Sequence, residues 1–365
     1  MTTTTDETLA EERRELLEVT RVLLSEQSGE EHLRARLEAG QAHDAALWAR
    51  LCDTGLVGAL VPDELGGAGL TPAHLGGVLH AFGEYAVAEP YLETAVLAAP
   101  VLATVAATDG EAAREAGQWL DRVVSGQALA AVDVEIPGVQ SPFVAFAADA
   151  DLLLTVRIDG AVLLHAADDL EVQPVEVLDP LRPLARVVPR GEGTLLTTDP
   201  GRAARVRALA VAGSACLQAG AARRLLSLTV DYVGIRHQFG RPVGSFQGVK
   251  HKVANVAVKV DMAEAAALSA FEVADQAGVA GLTSGDVDRR ARSAKAYAGE
   301  AAELANVEAL QLHGGIGFTW EYQLHIWLKR AMSLTASHGT PVEHRRVLAA
   351  ELLAQVRTGT AGAGR

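Results

Sequence analysis

The sequence predicts an α+β chain: a helical N-terminal domain, a reduced middle β domain and a C-terminal four-helix bundle. Three observations predict it. Apolar residues recur at helical spacing before residue 125, short strand-like runs follow to about 200, and long Ala/Leu-rich stretches fill the rest. With 365 residues and 49% apolar content the chain can bury a large core. The boundaries read as 1–125 for the N-terminal helices, 126–200 for the β domain, 201–357 for the bundle and 358–365 for a disordered Gly/Ala tail.

The first element is charged and helical. Leu16, Leu17, Val19 and Leu23 are expected on one buried face, and Leu47, Trp48 and Leu51 on that of a second helix, which His43-Asp44 would cap. Residues 66–69, Gly-Gly-Ala-Gly, lack both the Lys-Ser/Thr of a P-loop and the spacing of a dinucleotide fingerprint, so they read as a structural turn. Thr71-Pro72 opens the next helix, since proline suits a first helical position. Helices then continue to about 124, with a break at Glu89-Pro90. In the β domain, runs at 128–133, 152–157, 161–165 and 172–177 read as strands, and Asp159-Gly160 as a hairpin turn. The segment 179–183, Asp-Pro-Leu-Arg-Pro, reads as a turn before a last strand. After Pro200 helices are expected at 202–235, 246–277, 286–313, 319–333 and from 341, with a glycine-rich connection at 278–285.

Composition narrows the function. A net charge of −14 argues against general nucleic-acid or anionic-membrane binding. Cys52 and Cys216 show no metal-ligand spacing, and neither a signal peptide nor a long apolar run is evident. A reduced, cytoplasmic protein is the expectation.

Two stretches carry chemistry. Residues 236–247 read Arg-His-Gln-Phe-Gly-Arg-Pro-Val-Gly-Ser-Phe-Gln, and residues 311–318 read Gln-Leu-His-Gly-Gly-Ile-Gly-Phe. The first combines a cation, an aromatic, a turn and amides. The second puts glycines where backbone can approach a ligand closely. Arginine forks onto pyrophosphate and phenylalanine offers a face to an aromatic ring. The bland alternative is that Arg236 closes a helix as a dipole-matched cation and Phe239 is core.

On these motifs, and on residues 61–70 (Val-Pro-Asp-Glu-Leu-Gly-Gly-Ala-Gly-Leu), the chain resembles the acyl-CoA dehydrogenase family over most of its length. The resemblance implies FAD at a subunit interface. It would hand cofactor binding to Arg236, Gln238, Phe239, Gln247, Gln311, Gly314, Gly315 and Thr340. It also implies an acyl-CoA substrate, with electron-transfer flavoprotein as candidate acceptor.

The sequence departs from that pattern in two places. The family's usual Glu-Gly-Thr base motif falls on His338-Gly339-Thr340, and the alternative base position, near Ala210, has no carboxylate either. The middle domain lacks the family's Trp-Ile-Thr-like flavin segment. The chain therefore resembles the shorter, base-lacking subunit of actinobacterial α2β2 acyl-CoA dehydrogenases acting on bulky acyl-CoAs such as steroid side-chain thioesters. No catalytic residue is then expected on this chain. A larger partner would carry the glutamate, and the two would share one FAD. Two other readings stay open: altered flavin chemistry such as a monooxygenase, with His338 as acid/base, and a non-enzymatic scaffold. His313 and His325 are expected in the helix junction and on a helix face, with no metal site implied.

Overall fold

The computed structural model describes residues 2–274, 276 and 282–362. The N-terminal helices are α1 (Thr2–Gln27), α2 (Glu30–Ala39), α3 (Ala45–Asp53) and α4 (Pro72–Glu84), followed after a π-helical segment (Leu92–Ala98) by α5 (Ala99–Ala106) and α6 (Glu111–Val124). Asp44 caps α3 as expected, accepting from the backbone of Ala46 (2.9 Å) and Leu47 (3.1 Å). His43 instead reaches Glu89 at 2.5 Å. On α1 the inward stripe is Leu16, Thr20, Leu23 and Leu24, which turns Val19 out to 54% exposure, contrary to the face assigned to it. The glycine-rich segment is a tight turn. Gly66 and Gly69 have φ of +83° and +62°, and a Cβ on Gly67 would fall 2.0 Å from the Val61 carbonyl oxygen.

The middle domain holds two small sheets. One contains β1 (Ala130–Val134), β3 (Leu152–Val156), β4 (Val162–Ala166) and β7 (Thr194–Thr197), in the order β1-β3-β4-β7. The other contains β2 (Val144–Ala145), β6 (Leu184–Pro189) and β5 (Leu170–Val175). The β1–β3 pair is parallel and the β3–β4 pair antiparallel, turned at the expected Asp159-Gly160. Leu152, Leu154 and Val156 join the helical core, whereas Leu153 joins Ala131, Val144 and Leu170 between the sheets. A strand buried on both faces needs apolar residues at successive positions, which accounts for the unbroken Leu-Leu-Leu run.

The C-terminal helices are α7 (Pro200–Ile235), α8 (Gln247–Glu272), α9 (Ser284–His313), α10 (Leu324–Ala336) and α11 (Pro341–Gly362). The two short strands β8 (His237–Gln238) and β9 (Arg241–Pro242) lie between α7 and α8. Helix α8 stops at Glu272, short of the expected 277, and residues 278–281 of the expected connection lie outside the described residues. Thr283 caps α9, its hydroxyl accepting from Asp286 N at 3.1 Å. The expected tail overlaps α11, which runs to Gly362. Residues 363–365 lie outside the described residues.

Helix α7 is the axis: it packs on α4, α8, α9 and α10. Its crossing with α4 depends on paired glycines. A Cβ on Gly220 would sit 1.9 Å from the His80 carbonyl oxygen, and one on Gly83 would sit 1.9 Å from that of Leu217. Gly220→Ala must push two helices apart. It is expected to cost about 1–3 kcal/mol, the range for overpacking, read as a lower urea midpoint at unchanged slope.

Candidate functional site

The two motif stretches meet at one end of the bundle. Tyr232, near the end of α7, stacks on His313 at the end of α9 with ring centroids 4.5 Å apart, and Tyr322 closes against both. His313 is buried, its Nδ1 bonded to the Ala309 carbonyl at 2.7 Å, as the helix junction requires. His325 lies on α10 and stacks on Trp320 at 4.4 Å. Arg236 caps α7. A short hairpin follows, closed by the Val243 N–H donating to the Arg236 carbonyl at 2.7 Å. At its tip Phe239 and Gly240 both have positive φ, +51° and +76°.

Phe239 is 91% exposed, which removes the reading of it as core. It is held in place: its ring meets Phe246 edge-on at 6.1 Å, and the Arg241 guanidinium lies 4.0 Å over Phe246. Arg236, Gln238, Gln247 and Gln311 are exposed as well. Gly314 and Gly315 have nothing within 4 Å of a would-be Cβ, so their backbone is open to a ligand. Ile235, Phe318 and Trp320 add exposed apolar surface at this end.

Thr340 is not brought to this group. It follows α10, at that helix's far end, and its N–H and hydroxyl both donate to Glu343 at 2.8 Å. There the structure joins the two expected base positions. His338 Nδ1 lies 2.6 Å from Ser214 Oγ, and Ala210 is one turn before Ser214 on the buried face of α7.

The surroundings of His338 are cationic. Lys295 is fully buried and donates to Gln218 Oε1 (2.8 Å), the Leu334 carbonyl (2.8 Å) and the Thr335 carbonyl (3.4 Å), closing the C-terminus of α10. Arg182 Nη2 donates to Ser337 Oγ at 2.9 Å. Burial, reinforced by Arg182, Lys295 and His344, pushes the His338 ring down to about 3. Burial likewise lowers Lys295 to about 7. A ring lowered in this way by burial and by the cations beside it is a weaker base than an ordinary carboxylate, which argues against His338 as a general base.

His338 also lines a cleft of about 180 Å³, with Glu93, Asp133 and Arg182 among its other walls. Ligand pockets commonly run to about 300–1,000 Å³. Burial raises the Glu93 carboxyl, opposed by Arg182, and raises Asp133, helped by Glu135. The sequence reading missed Glu93, Arg182, Ser214 and Lys295. Arg182, in a turn between prolines, and Ser214, one turn after Ala210, stood near features already noted.

Models of the N- and C-terminal domains of acyl-CoA dehydrogenases match residues 10–127 and 208–353. This chain belongs to the acyl-CoA dehydrogenase family. Acyl-CoA dehydrogenase IpdE2 of Mycobacterium tuberculosis is 33% identical over 94% of this chain and 98% of its own length. The protein of the same name from Mycolicibacterium smegmatis is 35% identical over 94% of this chain and all of its own. The solved ChsE4-ChsE5 complex from Mycobacterium tuberculosis contains a chain that superposes with a TM-score of 0.81 at 25% identity, covering 94% of this chain and 97% of that one. A chain of the Tcur3481-Tcur3483 steroid ACAD superposes at 0.80 and 24% identity, over 96% of this acyl-CoA dehydrogenase and 99% of that chain. The family implies FAD, and a solved relative by fold, PigA, is an FAD complex.

Proposed function

We propose that this chain is the shorter, base-lacking subunit of a heteromeric FAD-dependent acyl-CoA dehydrogenase. It would contribute Arg236, Gln238, Phe239, Gln247, Gln311, Gly314 and Gly315 to an FAD whose flavin ring lies on a larger partner carrying the catalytic glutamate. The reaction is α,β-desaturation of a bulky acyl-CoA, with steroid side-chain thioesters as the leading class, in the cytoplasm and with electron-transfer flavoprotein as acceptor. Thr340, engaged with Glu343, is left out of this set.

One contrast carries the proposal. The surface fit for adenine and pyrophosphate is intact, rigid and turned outward, with Phe239 91% exposed. The inward cleft, by contrast, holds about 180 Å³ and is walled by Arg182 and His338. A chain built to hold a flavin ring of its own would be expected to keep a roomier cleft there. The likeness to a chain of the ChsE4-ChsE5 complex supports a two-component assembly.

The test is co-expression with a longer family member that carries the glutamate, followed by a count of flavin per chain. One FAD per pair of unlike chains is expected, and the chain purified alone should be colourless. Arg236→Ala should lower the flavin content of the purified complex at least tenfold, since a lost charged hydrogen bond costs about 1.5–3 kcal/mol. A yellow, active homo-oligomer of this chain would refute the proposal.

A further inference from the structure

We infer that this chain binds a small carboxylate in the cleft between β1, the 140–143 loop and the end of α10, with Arg182 as its cationic receptor. The inference needs neither flavin nor a partner, and stands or falls apart from the subunit reading.

The first observation is an uncommitted cation. Arg182 is 8% exposed and lines the cleft. A guanidinium has five N–H donors and is almost never buried without an anion. Among the described residues it makes one hydrogen bond, to the neutral hydroxyl of Ser337. Asp179, the nearby acid, is held by Arg330 at 2.5 Å. Neither a hydrogen bond nor an ion pair joins Arg182 to Glu93.

The second observation is the absence of a firm competing charge. Glu93, 6% exposed, faces Arg182 on the β5–β6 connection and Arg330 on α10. Burial favours its neutral form, and burial does the same for Asp133 on β1. His338 is neutral because of burial and its cationic neighbours, and Lys295 spends its donors on Gln218 and the end of α10. An entering carboxylate therefore meets a guanidinium with a single hydrogen bond of its own, to Ser337, beside a Glu93 whose burial disfavours its charge. A guanidinium fork is the group that matches a carboxylate's two oxygens. Glu93 is the second residue of a π-helical segment, a distortion that recurs at functional sites.

Size and walls fix the ligand class. At about 180 Å³ the cleft lies below the usual range of ligand pockets, about 300–1,000 Å³, and suits a small ligand. Val134 and Phe143 give apolar contact for a short alkyl chain. A four- or five-carbon carboxylate fits, either free or as the exposed end of a longer molecule entering at the mouth.

The experiment is calorimetry on the full chain purified alone, at pH 7, with pentanoate, its neutral isostere pentanamide, and nonanedioate. Saturable 1:1 binding of pentanoate is expected, with pentanamide at least tenfold weaker. Nonanedioate binding as tightly as pentanoate marks the end of a longer molecule as the ligand, and weaker binding marks the free short acid. Arg182→Gln should lose pentanoate binding at least tenfold. Glu93→Gln, which removes the carboxyl facing Arg182, should bind at least as tightly as the parent. Equal affinity for pentanamide, unchanged affinity in folded Arg182→Gln, or no saturable heat with pentanoate would each overturn the inference. Should Arg182→Gln fail to fold, the amide comparison and Glu93→Gln decide it.

Discussion

Arg330→Met is expected to destabilise the chain by about 3–5 kcal/mol, the range for breaking one side of a buried ion pair. Arg330 is 4% exposed and its partner Asp179 is 3% exposed, with Nε to Oδ2 at 2.5 Å. The same guanidinium donates to the Val87 carbonyl (2.6 Å) and the Leu181 carbonyl (3.3 Å). One side chain on α10 thus ties the bundle to the turn after α4 and to the segment before β6. Methionine fills much of the volume, so the loss would come from the stranded Asp179 charge and two carbonyls without donors. Asp179→Asn in the Arg330→Met background removes the charge and keeps an acceptor for the Leu181 N–H, which Asp179 now holds at 3.1 Å. The double variant should recover about half the loss, as the coupling of a contacting pair predicts. Urea unfolding of the four proteins measures this. A single-variant loss under about 1 kcal/mol would mean that the junction is hydrated and the pair behaves like a surface one.

How much of this was legible in the sequence depends on range. The outward loops are local features: the hairpin of residues 236–247 is set by Gly240 and Pro242, and the glycines at 314 and 315 end α9. Their ligand-facing residues stand close together in the chain, so motif reading found them. The strand runs were likewise local, and the helix ends missed by a few residues are where capping and fraying compete. The cleft was not legible. Glu93 and Arg182 on its walls, and Ser214 and Lys295 around His338, come from four separate elements, and each alone reads as an ordinary residue of a helix or turn; only His338 stood out, as the place of the family's glutamate. Lys295 sits in a helix rich in charge, and nothing local distinguishes it from the exposed Arg290. Only packing against Gln218 and the end of α10 buries it. The π-helical segment was missed for a related reason. Residues 92–98 have helical composition, and the widened turn is set by what packs on it, including Thr94 Oγ1 donating to the Ala130 carbonyl at 3.0 Å. Val19 shows the opposite error: an apolar residue at plausible spacing that the true helical phase turns outward.

The buried cluster around His338 should also be visible as an unusual dependence of stability on pH. His338 is pushed down to about 3 and His344 to about 4, in both cases first by burial. Their folded-state pKa values lie below the unfolded value near 6.5, so the unfolded chain takes up protons first as pH falls. Stability held above pH 6.5 is therefore lost on acidification. Each group contributes about 1.4 kcal/mol per pH unit once the unfolded form is protonated, which gives about 3–5 kcal/mol together between pH 6.5 and 4.5. His165, His313 and His325, also lowered by burial, act in the same direction, while the raised Glu93 opposes them. Lys295, lowered to about 7, adds a second limb. Between pH 7 and about 8.5 the unfolded lysine keeps a proton that the folded one loses, so stability should rise by about 1–2 kcal/mol. Above that, the raised thiols of Cys52 and Cys216 begin to subtract. Urea midpoints at half-unit steps from pH 4.5 to 8.5 test both limbs. His338→Gln keeps a hydrogen-bonding group for Ser214 and cannot titrate, so it should reduce the acid limb by about 2 kcal/mol between about pH 6.5 and 4.5, the share of one fully shifted group. An acid limb as steep in His338→Gln as in the parent would mean that His338 is already hydrated and protonated near neutrality. In that event the cationic cleft described around it would not exist in solution.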